Sequence, residues 1–145
     1  MKCLLQRVTR ASVTVDEEVV GQIQGGLLVL VGVEPEDTAQ TVSRMAERLL
    51  KYRVFSDSEG RMNLNVEQAG GAILLVSQFT LAADTTSGNR PGFSTAAPPE
   101  QASRLCEDLA DQLVLSGIQV ETGQFGAHMS VSLVNDGPVT FLLSV

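Results

Sequence analysis

Leu27-Leu28-Val29-Leu30-Val31-Gly32-Val33 is a continuous apolar run entered through Gly25-Gly26. It is too short for a helix of ordinary length and rich in valine and leucine, so it reads as a fully buried strand, central to its sheet. Gly71 to Phe79, built on Ile73, Leu74, Leu75 and Val76, reads as a second buried strand.

The remaining pattern builds around these two. Lys2 to Ile23 alternates apolar and polar residues, with the acidic turn Asp16-Glu17-Glu18 in the middle, which predicts an antiparallel hairpin. From Asp37 to Lys51 the residues Ala39, Val42, Met45, Ala46, Leu49 and Leu50 recur at helical spacing, with Pro35, Asp37 and Gln40 supplying the start signal. Tyr52 to Phe55 reads as a short strand, Ser56 to Gly60 as a polar turn, and Ala82 to Pro98 as a long loop of small polar residues suited to a functional role. Pro98-Pro99 opens a second helix whose stripe is Ala102, Leu105, Cys106, Leu109, Ala110 and Leu113, stopped by Gly117. Ile118 to Val120, Ala127 to Val134 and Val139 to Val145 read as strands, the last two joined by a turn at Asn135-Asp136-Gly137-Pro138. The expectation is an α+β fold: a single domain over 1–145, of antiparallel and mixed β-sheet with about seven strands and two amphipathic helices. At 145 residues and 43% hydrophobic content the chain can fill one core and still leave an interface.

Several function classes fall away. The two cysteines, Cys3 and Cys106, and the sole histidine, His128, have no metal-ligand spacing, so no metal or other cofactor is expected, and Cys106 reads as a buried small hydrophobe. A disulfide is not expected in a reducing compartment. A Ser-His-Asp triad would need His128, and no Gly-x-Ser-x-Gly elbow presents a serine to it. Gly21 to Gly26 lacks the lysine and the following helix of a phosphate loop. No stretch approaches the ~18–20 apolar residues of a membrane span, and Lys2 and Arg7 come too early for a signal peptide, so a cytoplasmic protein is expected. The net charge of −7 argues against DNA and against nonspecific binding along any nucleic-acid backbone. A nucleic-acid substrate would have to be recognised locally, at one end or one chemical group.

Two segments hold polar chemistry. Ser77-Gln78-Phe79-Thr80-Leu81 ends a buried strand, placing hydroxyl and amide donors at the rim of the core, where they either cap the strand or hold a carbonyl or oxyanion. Asn135-Asp136-Gly137-Pro138-Val139-Thr140 is either turn punctuation or, if the Gly-Pro bond is cis, a rigid pair of backbone acceptors.

Together these two motifs resemble the signature of the D-aminoacyl-tRNA deacylases. The resemblance extends to Met-Lys-x-Leu-Leu-Gln-Arg-Val-Thr-Arg-Ala-Ser-Val at the start, Gly25 to Leu28, Lys51 to Phe55 and the Gly88-Asn89-Arg90-Pro91 loop, and so spans essentially the whole chain. It implies a homodimer whose partner is the aminoacylated 3′ end of tRNA, with no membrane role. It also implies that Gly137-Pro138 of one subunit reaches the pocket formed by Ser77, Gln78, Phe79 and Thr80 of the other. In that arrangement the Gly-Pro carbonyls meet the substrate amino group and leave too little room for an L side chain, while glycine, misattached for instance to the tRNA of alanine, is accepted. Arg7 would brace the Gly-Pro step, and Phe125, Met129 and Ala102 would line the pocket or serve as ordinary core.

For the chemistry, one reading has Thr80 attack the ester. The preferred one has Gln78 and the main-chain amides near Phe79 and Thr80 hold the carbonyl while the 2′-hydroxyl of the terminal ribose assists water, which accounts for the missing base. Two rivals stand beside it: a threonine-dependent esterase of small D-amino acid esters, and a non-catalytic dimeric binding module.

Overall fold

The chain opens with the expected hairpin. In the computed structural model, which describes residues 1–145, β1 (Lys2–Val15) turns into β2 (Glu18–Ile23) through Asp16 and Glu17 at φ 48° and 67°. Two consecutive left-handed residues are what a tight two-residue hairpin turn needs, and aspartate tolerates that geometry better than most residues. β3 (Gly26–Gly32) then pairs antiparallel with the first half of β1, from Lys2 opposite Gly32 to Val8 opposite Gly26.

α1 (Ala39–Lys51) buries Val42, Met45, Ala46 and Leu49. Its cap is not the predicted one: Thr38 and Thr41 form a reciprocal capping box. Asp37 is engaged elsewhere, accepting from the Met1 α-ammonium at 2.5 Å and from the Glu34 amide at 2.7 Å. The predicted strand at Tyr52 to Phe55 shifts to β4 (Phe55–Ser56), because Tyr52 is the C-cap of α1. β4 pairs with β5 (Met62–Leu64), which carries too few residues to show alternation in the sequence.

β6 (Ala72–Ser77) runs parallel to β3, and ends two residues earlier than predicted because Phe79–Ala82 coils into a 3-10 turn. After α2 (Pro99–Leu115), β7 (Val120–Thr122) adds parallel to β6. The two strands expected on either side of Gly137-Pro138 are one strand, β8 (Ser130–Ser144), antiparallel along nearly all of β1. The Gly-Pro step is thus a bulge within a strand and not a reversal between two. The result is an α+β fold with a six-stranded mixed sheet, order β2-β1-β3-β6-β7 with β8 on β1, and a separate β4-β5 ribbon.

β2 packs back against β6 and β7, curling the sheet toward a barrel. Both faces of β3 are buried accordingly: Leu27, Val29 and Val31 lie in the larger core under α1 and α2, and Leu28 in the smaller core inside the curl. α2 contributes Ala102, Leu105, Leu109 and Leu113 to the larger core, while Cys106 is half-buried at its margin, not fully buried as predicted. No helix is long and apolar enough to cross a membrane.

The Met1 ammonium also donates to Glu34 at 2.8 Å, and this bond is the first cause of a Glu34 carboxyl held below its ordinary range. A carboxyl whose pKa is depressed by folding stabilises the fold above its unfolded-state pKa and loses that contribution as pH falls through the folded value. Glu34→Gln is therefore expected to flatten the acid limb of the melting-temperature profile below about pH 4.3. Thermal melts of both proteins between neutral and acid pH check this; superimposable acid limbs would remove the pair from the account.

Candidate active site

Ser77 to Thr80 occupy the point where β6 stops. Ser77 still pairs opposite Val31, and the Gln78 amide donates to the Val31 carbonyl at 2.7 Å, so the backbone is fixed to β3 up to that residue. The 3-10 turn follows, closed by Leu81 N–H to Gln78 C=O at 3.1 Å and Ala83 N–H to Thr80 C=O at 3.2 Å. Phe79 and Thr80, its first two residues, present amides that the turn itself cannot use. Gln78 Nε2 donates to Thr80 Oγ1 at 2.6 Å. A glutamine amide carries two N–H groups, so Thr80 orients one and leaves the other to point at a ligand oxygen. No carboxylate or imidazole bonds to the Thr80 hydroxyl, which leaves it without a base.

Beside Ser77 a cavity of about 440 Å³ opens between β6, α2 and the segment after β7, with Thr122, Gln124, Phe125, Cys106 and Asp111 in its wall. Phe125 is 40% exposed. Met129 packs against the smaller core, and its sulfur accepts from the Gln124 amide at 3.4 Å, tying down the loop that carries Phe125. Ala102 is buried in the larger core and does not reach this wall. Burial, with Glu107 adding to it, pushes the Cys106 thiol up to about 11, so the one sulfhydryl in the wall is not a thiolate at neutral pH. His128 is exposed on the approach to β8.

The Gly-Pro step forms its own cluster. Val8 pairs with Asn135 and Gln6 with Thr140, so Asp136 to Val139 bulge out opposite Arg7 alone. Arg7 ties the bulge to the body of the fold: Nε donates to the Asp136 carbonyl at 3.0 Å and Nη1 to the Val54 carbonyl at 2.6 Å. Asn135 closes the base of the bulge, accepting from the Val139 amide and donating to Thr140 Oγ1, both at 2.9 Å. The Gly137-Pro138 bond is cis, and Gly137 has φ +134°. A Cβ there would lie 2.8 Å from Val139 Cγ2 and 3.1 Å from Arg7 Nη2, so any other residue would be strained and would displace both side chains. Gly137 and Pro138 are exposed.

One chain does not bring the two clusters together. Arg7 lies level with Leu27, which lies level with Ile73. From Ile73 to Ser77 along β6 is roughly 13 Å, and from β8 across β1 and β3 to β6 is roughly 14 Å. The bulge is therefore exposed at roughly 19 Å from its own Ser77, too far to share one small site with it.

Comparison with known proteins matches residues 4–144 to the family described as D-Tyr-tRNA(Tyr) deacylase. The chain belongs to this family. It is 64% identical over 146 residues to the D-aminoacyl-tRNA deacylase of Xanthomonas oryzae pv. oryzae strain MAFF 311018, covering 99% of each chain. It is 58% identical to that of Sodalis glossinidius, covering 100% of each. Among solved structures it superposes on the c-Myc DNA Unwinding Element Binding Protein with TM-score 0.94 at 41% identity, covering 100% of this chain and 99% of the other. A "probable eukaryotic D-amino acid tRNA deacylase" shares the fold, with TM-score 0.86 at 16% identity over 99% of this chain and 98% of the other.

Within this deacylase-family chain, sequence reasoning missed several residues that shape the two clusters. Phe93 lies against Phe79, with ring centroids 5.2 Å apart and the planes tilted by 55°. Val54 offers Arg7 a carbonyl and Gln6 donates to Thr140; Asn135 and Thr140, singled out only as members of the 135–140 motif, lock the bulge. A backbone carbonyl leaves no trace in residue identity. Phe93 did leave one: it is a lone aromatic in a loop of otherwise small or polar residues.

Proposed function

We propose that this chain hydrolyses the ester bond of D-aminoacyl-tRNA as a homodimer in the cytoplasm, releasing free D-amino acid and tRNA. The observation that carries the reading is the full-length identity to proteins named D-aminoacyl-tRNA deacylase. The geometry supports the shared site that the two motifs imply. An exposed bulge too far from its own Ser77 to Thr80 fits a site completed by a second copy, and β8 leaves one edge unpaired, with Val134, Phe141 and Leu142 exposed on that strand.

In the assembled site Gln78 and the amides of Phe79 and Thr80 hold the ester carbonyl, and the partner's Gly-Pro carbonyls take the ammonium. Water adds to the carbonyl carbon with help from the terminal 2′-hydroxyl, and the ribose 3′-oxygen leaves with a proton. An L side chain would run into fixed backbone, which no rotamer change relieves; a D side chain points out, and glycine has nothing to exclude. Gripping only the terminal nucleoside and amino acid asks for few phosphate contacts, in keeping with a net charge of −7. The same charge weighs against extending the DNA element in the name of the 41%-identical structure to this chain.

The test is deacylation of matched D- and L-aminoacyl-tRNA bearing one side chain, with sedimentation of the protein alongside. Hydrolysis of the D-ester only, by a dimer, is the expected result. Equal rates on both esters would sink chiral selection, and no hydrolysis at any enzyme concentration would favour a binding module. Gly137→Ala, whose methyl presses on Val139 and Arg7, is expected to narrow the D-to-L rate ratio at least about tenfold, or ~1.4 kcal/mol of discrimination. An unchanged ratio in a folded Gly137→Ala dimer would remove the bulge from the specificity device.

A further inference from the structure

We propose that Gly32 is a positioning residue for the reaction: by carrying no side chain it lets the turn assigned to the ester carbonyl seat at the depth its free amides need. This rests on the deacylase reading above. Gly32 ends β3, is buried, and pairs with Lys2 in ordinary strand register. Its backbone lies outside the left-handed region, so space and not conformation is what glycine gives there. A Cβ built on it would lie 2.8 Å from Leu81 Cβ, 3.3 Å from the Ala82 nitrogen and 3.3 Å from the Gln78 carbonyl oxygen. All three atoms belong to the 3-10 turn Phe79–Ala82 or to the residue that enters it.

The turn is pinned at both ends and cannot simply back away. At its start the Gln78 amide donates to the carbonyl of Val31, the neighbour of Gly32 on β3, at 2.7 Å. At its end Ala82 is buried, and its carbonyl accepts from Thr95 Oγ1 at 2.5 Å. A methyl pressing from β3 therefore bows the middle of the turn, where Phe79 and Thr80 carry the amides that the turn leaves free. It also presses on the Gln78 carbonyl, the acceptor of the 3.1 Å bond from Leu81 N–H that closes the turn. The Leu81 contact falls at least about half an ångström short of ordinary carbon-carbon separation. Donors must be held to about that tolerance to meet developing charge. Because such donors act on the transition state more than on the bound ester, their displacement falls on kcat and not on KM.

The experiment measures kcat and KM on one D-aminoacyl-tRNA for wild type, Gly32→Ala, Leu81→Gly and the double variant, with the folded fraction of each taken from circular dichroism. Gly32→Ala is expected to lower kcat about 10- to 100-fold with KM within about twofold. Leu81→Gly removes the atom that the new methyl would strike, so Gly32→Ala should cost at least about fivefold less in that background. A buried glycine of structural value alone would lower the folded fraction and give no such rescue of kcat per folded molecule. An unchanged kcat in folded Gly32→Ala overturns the proposal, as does a rise in KM at constant kcat, or costs that simply multiply in the double variant. Should Gly32→Ala be recovered only unfolded, the double variant must fold and turn over within about threefold of Leu81→Gly; a slower one overturns the proposal. Backbone amide NMR shifts of Phe79 and Thr80, compared between wild type and Gly32→Ala without substrate, separate this idea from the one beneath it. Shifted turn amides in a protein whose wild type hydrolyses nothing would keep Gly32 as the seat of the turn and sink the deacylase. Hydrolysis by the wild type, with those amides unmoved in Gly32→Ala, would do the reverse.

Discussion

Gln78→Ala is expected to lower kcat on D-aminoacyl-tRNA by about 10²- to 10³-fold, the usual cost of deleting one oxyanion donor, while Thr80→Ala loses less than about tenfold. The asymmetry follows from the single bond that joins the two side chains. Gln78 is half-buried and backbone-fixed to β3, and its amide has one N–H spent on Thr80 and one to give. Thr80 is exposed, and its hydroxyl orients that amide and has no base of its own. Removing Thr80 lets the donor wander; removing Gln78 removes the donor. Single-turnover rates on one D-aminoacyl-tRNA, with the fold checked by circular dichroism, decide the matter. Should Thr80→Ala abolish turnover while Gln78→Ala spares it, the threonine is the nucleophile and the enzyme is the esterase of the rival reading.

Gly26→Ala is expected to be the most damaging single methyl in the chain. Gly26 has φ +154°, and an added Cβ would sit 1.9 Å from the Ala72 carbonyl oxygen and 2.6 Å from the Ala72 nitrogen. Those are backbone atoms of the neighbouring strand at the first rung of the β3-β6 ladder, so no side chain can turn aside. The methyl can be admitted only by prying β3 from β6, where both faces of the sheet are buried. Overpacking and left-handed strain together suggest about 3–5 kcal/mol, which for a chain of this size lowers Tm by roughly 10 °C or more. Activity per folded molecule should change far less than Tm. A variant melting within a degree or two of wild type would mean that the ladder yields easily at this rung.

What was legible in the sequence was what burial writes there. Leu27 to Val33 and Ile73 to Val76 announced strands covered on both sides, and the stripes of α1 and α2 announced the layer that covers one of them. The acidic break Asp16-Glu17-Glu18 marked the first hairpin because it interrupts an otherwise alternating run, and the turn falls on its first two residues. What escaped was decided by partners far away in the chain. Asp37 looked like a helix cap until the Met1 ammonium claimed it, and Gly137-Pro138 looked like a reversal until β1 was seen to pair on both sides of it. The same holds for the site. Ser77 to Thr80 stood out as polar residues at a strand end, whereas Arg7's grip on the bulge depends on two carbonyl oxygens that residue identities do not encode.

β8 is a long strand with one edge paired to β1 and the other bare, a standing invitation to indiscriminate strand addition and aggregation. The bulge breaks that invitation in the middle. Pro138 has no amide to offer, and Asp136 to Val139 leave the plane of the sheet, so the bare edge is divided into two shorter stretches, Ser130 to Asn135 and Thr140 to Ser144. A stray strand cannot zip past the gap in register. A chain kept in solution at working concentration thus gains protection against fibrous self-association from the same few residues that recognise chirality in the proposed reaction, and variants that flatten the bulge would be poorer proteins as well as poorer enzymes.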